Sequence, residues 1–219
     1  KTIIGVCMAT MIACTPTKQS TIDTTLQTKV DSILQNKMSE INAISGQAIV
    51  MEVQTGEIKA MVGNGISQES GLIRTSSLLA ALETSKVKLS DTVDVGEGVY
   101  KVHDRELLDH NWHRGGYGKL TTLQGLMVNS HIANYKNIER AFEEEQAYFD
   151  MLDKMNYGQP DNIEGLDSLK AVHFVTPNDS GWSNTSLAWF CIGYNQQISP
   201  IQMLTFYNAI ANDGKMVKP

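Results

Sequence analysis

An α+β fold is the class this sequence predicts, and three observations carry it. Leu26, Val30, Ile33, Leu34 and Ile41 recur at helical spacing, so residues 25–43 read as an amphipathic helix. Two short runs rich in β-formers follow, residues 48–53 and 58–62, joined by the turn Gln54-Thr55-Gly56. The remaining apolar patterning is mostly helical. A helix feeding a hairpin, followed by a helical majority, is an α+β order and not a βαβ alternation.

The elements can be justified in order. Thr24-Thr25-Leu26-Gln27 has the spacing of a capping box, Thr with Gln three residues on, and opens the first helix. After a Gly/Ser/Asn loop at 63–71, the Ala/Leu-rich stretch to Glu83 reads as a helix ending near Ser85. Residues 88–119 contain Gly96, Gly98, Gly115, Gly116 and Gly118 and read as loop. Thr121-Thr122-Leu123-Gln124 is a second capping box, for a helix to about Val128. Helical segments follow at about 132–143 and 145–156, the latter stopped by Tyr157-Gly158. Residues 158–186 are connection. Ser199-Pro200-Ile201-Gln202 then combines an N-cap Ser, Pro at the first helical position and a capping-box Gln, with Gly214 closing the helix.

At 219 residues, 42% hydrophobic and a net charge of −6, the chain is long enough for a substantial core, and no basic stripe suits it to nucleic acid. Its first residues differ in character. Lys1 precedes an apolar run from Ile3 to Ala13 of signal-peptide length, followed by Cys14 and polar residues. Met11-Ile12-Ala13-Cys14 is similar to a bacterial lipobox, which makes Cys14 the expected lipid attachment point. The expected organisation is a signal segment at 1–14, a Thr/Ser/Lys-rich tether at 15–21, and one domain from 22 to 219. A lipidated N-terminus implies a membrane-tethered, extracytoplasmic protein of the bacterial envelope. Cys191, inside the apolar run Leu187 to Ile192, reads as a buried structural thiol.

Five segments, in order, resemble the transpeptidase domains of penicillin-binding proteins, particularly the class B, division-type members. They are Thr21 to Gln27, Val53-Gln54-Thr55-Gly56-Glu57-Ile58-Lys59-Ala60-Met61, Leu78 to Glu83, Ile192-Gly193-Tyr194 with Ser199 to Gln202, and Ala211 to Lys215. The resemblance implies the α+β fold shared with serine β-lactamases: a helical subdomain beside an antiparallel sheet, of which this chain holds the first hairpin. It also implies the chemistry, attack of a Ser on the D-Ala-D-Ala carbonyl of a peptidoglycan stem peptide. A Lys one turn further along the helix takes the proton, in a Ser-x-x-Lys motif. No cofactor or metal is implied.

Aligned on the Leu-Leu-Ala-Ala-Leu-Glu run, the Ser position holds Gly71 and the Lys position holds Arg74. Glycine offers no nucleophile, and a guanidinium does not give up its proton in a protein. Ser70 and Ser67 are out of register with residue 74. Ser85-Lys86-Val87-Lys88 spells the motif at the wrong end of the helix. The second family motif, Ser-x-Asn between two helices, is replaced by Asn129-Ser130-His131. The third, Lys-Thr-Gly, does not occur before Pro219, and the strands expected with it lie beyond that residue.

Three readings follow. The first is a tethered relative without acylation chemistry, whose cleft binds cell-wall stem peptide or a cell-wall protein, with Arg74 suited to a carboxylate. The second is an enzyme working through a non-standard Ser; the third is a remnant without function. His103, Asp104, His110 and His113 match no common zinc spacing and read as loop residues. Trp112, Tyr117, Trp182 and Trp189 read as packing aromatics, and Glu143-Glu144-Glu145 as a solvated helix junction.

Overall fold

The computed structural model describes residues 20–63, 71–158 and 173–219. The signal segment with Cys14, the tether up to residue 19, and Ser67 and Ser70 lie outside the described residues.

Helix α1 (Thr24–Glu40) precedes the antiparallel hairpin of β1 (Gln47–Met51) and β2 (Ile58–Gly63). The capping box expected at Thr24 does not form. Asp23 is the N-cap, its carboxylate accepting from the backbone N–H groups of Thr25 and Leu26. Gln27 is engaged elsewhere: its amide donates to Met61 O and accepts from Met61 N, both at 2.8 Å. Thr21 donates to Ile58 O and Asp23 N–H to Lys59 O. Residues 21–27 therefore cover the outer edge of β2, which would otherwise expose a row of unpaired peptide groups.

Helix α2 (Ile73–Glu83) runs through the helical part of the domain, with Ile73, Ser76, Ser77, Leu78, Ala80 and Ala81 buried. The glycine-containing region that follows is not loop. It folds as β3 (Thr92–Gly96), β4 (Val99–Val102), β5 (Arg105–Leu108), a 3-10 turn (Trp112–Arg114) and β6 (Gly118–Thr121), with β3 paired to β6 and β4 to β5. The reason is visible in β3, where Val93 and Val95 point inward and Thr92 and Asp94 outward, the alternation of a half-buried strand.

Thr121 and Gln124 form the expected capping box of α3 (Thr122–Met127). Helices α4 (His131–Ala141) and α5 (Glu145–Lys154) follow, then the short strand β7 (His173–Phe174), α6 (Ser186–Phe190), β8 (Gln196–Gln197) paired to β7, and α7 (Pro200–Ala211). Ser199 and Gln202 cap α7 reciprocally, with Pro200 in the first turn, and Gly214 adopts φ +81° where the chain leaves the helix.

The core is centred on aromatic side chains from α5, α6, α7 and β7. Tyr148 packs edge-on against Phe142, Phe149 and Phe190, while Tyr157 stacks on Phe174 and meets Phe206 edge-on. Tyr148 is fully buried, and its hydroxyl meets Ser77 Oγ at 2.7 Å, tying α5 to the inner face of α2. Helices α3 and α4 pack closely enough that a Cβ on Gly125 would lie 2.6 Å from Ala133 Cβ. Among the described residues, no helix is long and apolar enough to cross a membrane.

Candidate active-site cleft

The head of α2 opens onto a cleft of about 470 Å³, walled by Gly71, Leu72, Arg74 and Thr75 on one side and by Leu126, Asn129 and Tyr207 on the other. Each wall has a local cause. Tyr207 projects from α7 and donates its hydroxyl to Leu72 O at 2.9 Å, which fixes the start of α2 against α7. Asn129 holds φ +59° in the sharp connection between α3 and α4, a conformation Asn tolerates better than most residues.

Gly71 and Arg74 are side by side. The guanidinium of Arg74 folds back over Gly71, so that a Cβ built there would lie 2.6 Å from Nη2. Arg74 occupies the first turn of α2, which contains no acidic residue, and Leu72 provides no side-chain cap. Burial lowers its pKa from the ordinary arginine value, and among the described residues the groups acting on its charge are the Cys191 thiol and the Tyr207 phenol, neither a carboxylate. It remains a cation, since that ordinary value lies far above neutrality. Behind Arg74, between α2, α3 and α4, lies a small enclosed pocket of about 10 Å³ reached by Ser130, Asn134 and Asn137. That is at the lower limit for one water molecule.

The residues expected at the second motif separate. Asn129 faces the cleft. Ser130 turns inward as the N-cap of α4: its hydroxyl accepts from Ala133 N and donates to Asp109 Oδ2 at 2.7 Å. Asp109 is fully buried and also accepts from Ile132 N at 3.1 Å. His131 bonds through Nδ1 to Leu108 O at 2.9 Å. A carbonyl only accepts, so Nδ1 carries the hydrogen and Nε2 is the unprotonated nitrogen. Burial, and then the charge of Arg74, lower the pKa of His131, with His110 adding to the effect and Leu108 O and Asp109 opposing it.

Sequence reasoning missed Asp109, Tyr207 and Asn134. Asn134 donates to Cys191 O at 2.7 Å and joins α4 to the end of α6. None of the three carries a local signal, because each acts on a residue between 21 and 135 positions away.

The other flagged residues lie outside the cleft. His103 and Asp104 form the β4–β5 turn, and His110 meets the Tyr117 hydroxyl at 3.0 Å. Among the described residues, no three His, Cys, Asp or Glu side chains are grouped to hold a metal ion. Trp182 packs on Phe149 and donates Nε1–H to Glu145, while Trp189 lies under the Arg105 guanidinium. Trp112 is half exposed on the 3-10 turn. The acidic triplet is largely solvated: Glu143 is exposed although it pairs with Lys86 at 3.0 Å, Glu144 is exposed, and only Glu145 is held, by Trp182. Cys191 is buried, and burial pushes its thiol pKa up.

Comparison with known proteins decides the family. The model of the penicillin binding protein transpeptidase domain matches residues 46–219. The chain belongs to this family. Among its relatives are the penicillin-binding protein PbpB of Mycobacterium tuberculosis, 26% identical over 91% of this chain and 32% of that protein. Another is the peptidoglycan D,D-transpeptidase FtsI of Escherichia coli, 23% identical over 88% of this chain and 35% of that protein. These are the division-type, class B proteins that the sequence motifs resemble. The chain spans about a third of the length of these curated relatives.

The transpeptidase fold is equally clear in solved structures. A crystal structure of a peptidoglycan glycosyltransferase from Burkholderia ambifaria superimposes with a TM-score of 0.79, at 22% identity, over 90% of this chain and 63% of that one. The apo transpeptidase domain of penicillin-binding protein 3 from Burkholderia pseudomallei also gives 0.79, at 22% identity, over 91% and 60%.

Proposed function

We propose that this transpeptidase-family domain does not acylate, and that its cleft instead holds the carboxylate end of a peptidoglycan stem peptide against Arg74. One observation carries the reading: Gly71 and Arg74 stand side by side at the cleft head of α2, the positions where the family's chemistry requires Ser and Lys. A fixed guanidinium forms paired hydrogen bonds to a carboxylate but cannot deprotonate a nucleophile. Among the described residues, the hydroxyls lining the cleft belong to Thr75 and Tyr207, and that of Tyr207 is committed to Leu72 O. Relatives named as D,D-transpeptidases supply the substrate class, a D-Ala-D-Ala-ended peptide.

The same reading places the domain on the outer side of the bacterial membrane, tethered through Cys14, in cell-wall synthesis of the division type. Mass spectrometry of the mature N-terminus tests the tether, and an unmodified Cys14 rules it out.

Labelling with a fluorescent penicillin tests the loss of acylation. No covalent band is expected; a band that disappears in Ser70→Ala would show that a non-standard Ser acts. Calorimetry with a D-Ala-D-Ala-ended stem peptide tests binding. Affinity is expected to fall by roughly tenfold or more in Arg74→Ala, the worth of one charged hydrogen bond, and equal or absent binding defeats the proposal.

A further inference from the structure

Gly71 is not a glycine for the sake of its backbone. It is absent from the residues with positive φ, so a side chain there meets no conformational penalty. The three nearest atoms that a Cβ at this position would meet all belong to Arg74: Nη2 at 2.6 Å, Cζ at 3.2 Å and Nη1 at 3.4 Å. The contrast with Gly125 is instructive. There the same 2.6 Å approach is to Ala133 Cβ, an atom fixed in α4. At Gly71 the obstacle is the far end of a flexible side chain, which a substitution displaces without moving the main chain.

We infer that Gly71 is a positioning residue whose missing side chain forms the seat of the Arg74 guanidinium, so that residues 71 and 74 make one anion-binding unit. This rests on the carboxylate reading above and extends it. The change at the nucleophile position is then more than a loss: it creates the space in which the cation at the base position lies flat across the head of α2. A guanidinium pushed off that surface gains rotamer freedom and no longer presents its paired N–H groups in one orientation toward the cleft, and a fixed orientation is what a bidentate contact requires.

The test is a double-mutant cycle with a structural readout that needs no ligand. The Arg74 Nε–H resonance is assigned by its loss in Arg74→Lys and then followed in Gly71→Ala. It is expected to move, while the thermal midpoint stays near that of the native chain and Gly125→Ala lowers it. An unmoved Arg74 resonance overturns the inference whether or not any peptide binds. With N-acetyl-D-alanyl-D-alanine as the probe, Gly71→Ala is expected to weaken binding roughly tenfold in the native background and by less than about twofold in the Arg74→Ala background. Equal losses in both backgrounds overturn the inference. Absent binding by the native chain counts against the carboxylate reading alone. Should Gly71→Ala fail to fold, recovery in Gly71→Ala/Arg74→Ala supports the shared seat, and failure of that double variant overturns it.

Discussion

Removal of the Asp109 carboxylate offers the sharpest test of how the cleft is held. Asp109 is fully buried, yet among the described residues no lysine or arginine pairs with it. It accepts from Ser130 Oγ at 2.7 Å and from Ile132 N at 3.1 Å, both at the N-terminus of α4. A helix start supplies free N–H groups and a favourable dipole, and those conditions make a buried carboxylate tolerable. Hydrogen bonds to a charged group contribute about 1.5–3 kcal/mol each. Two of them, partly coupled, put Asp109→Ala at roughly 3–5 kcal/mol of lost stability. Ser130→Ala removes one of these bonds and the Ala133 cap, and costs about 2–4 kcal/mol. Because the two residues share a bond, the double variant falls short of the sum by about 1–2 kcal/mol. Urea denaturation followed by circular dichroism reads these differences as shifts in midpoint at constant slope. A cost below about 1 kcal/mol for Asp109→Ala, or full additivity with Ser130→Ala, refutes the argument. Asn129 immediately precedes this double cap, so the same variant is expected to loosen one wall of the cleft.

Four further outcomes are expected. Ser77→Ala leaves the Tyr148 hydroxyl buried without its 2.7 Å partner and costs about 1–3 kcal/mol, whereas Ser76, whose buried hydroxyl has no partner among the described residues, tolerates Ala without loss; equal effects in the same melts contradict this. The folded pKa of His131 lies below its usual 6.5, so its contribution to stability is complete above pH 6.5 and declines as pH falls through the lowered folded value. His131→Asn keeps a donor for Leu108 O and is expected to flatten that part of the stability–pH curve, measured by urea midpoints across the range. Gly125→Ala drives a Cβ against Ala133 and is expected to lose about 1–3 kcal/mol despite the better helix propensity of alanine. Arg74→Met is expected to gain up to about 1 kcal/mol, because it removes a half-exposed cation from the positive end of α2; a loss of thermal stability would show that the charge is satisfied in the fold.

The parts of the fold that were legible in the sequence are those decided within a few residues. The boxes at Thr121/Gln124 and Ser199/Gln202 formed as spelled, since each pair meets within one helical turn. Thr24/Gln27 has the same spelling and failed, because the amide of Gln27 is claimed by Met61, 34 residues away. A local pattern cannot register that competition. The strands between residues 92 and 121 were obscured by glycines. They are short, and β3 pairs with β6 across the whole insertion, so only the alternation Thr92-Val93-Asp94-Val95 betrayed one of them. At the site, the motif frame located Gly71, Arg74 and Asn129, which do share one cleft. It treated Ser130 as a motif residue, although that side chain caps a helix. Asp109 was invisible, as an acid after two leucines gives no hint of a helix end 21 residues later.

The division between scaffold and chemistry within α2 bears on how Arg74 is to be understood. The inner face of the helix is set by packing: Ile73, Ala80 and Ala81 are fully buried and Ser77 is bonded to Tyr148, so change there is costly. Gly71 and Arg74 lie outside that face and are free to vary without loss of the fold. Freedom to vary does not by itself explain an arginine. Burial acts against its charge, the helix dipole acts against its sign, and among the described residues no carboxylate acts on it in compensation. A methionine of similar length would fill the same space without either penalty. On the carboxylate reading proposed above, an anion delivered to the cleft supplies a counter-charge beside Gly71, where the guanidinium lies. Within that reading, the burial and position of Arg74 are the argument for a carboxylate over a neutral ligand.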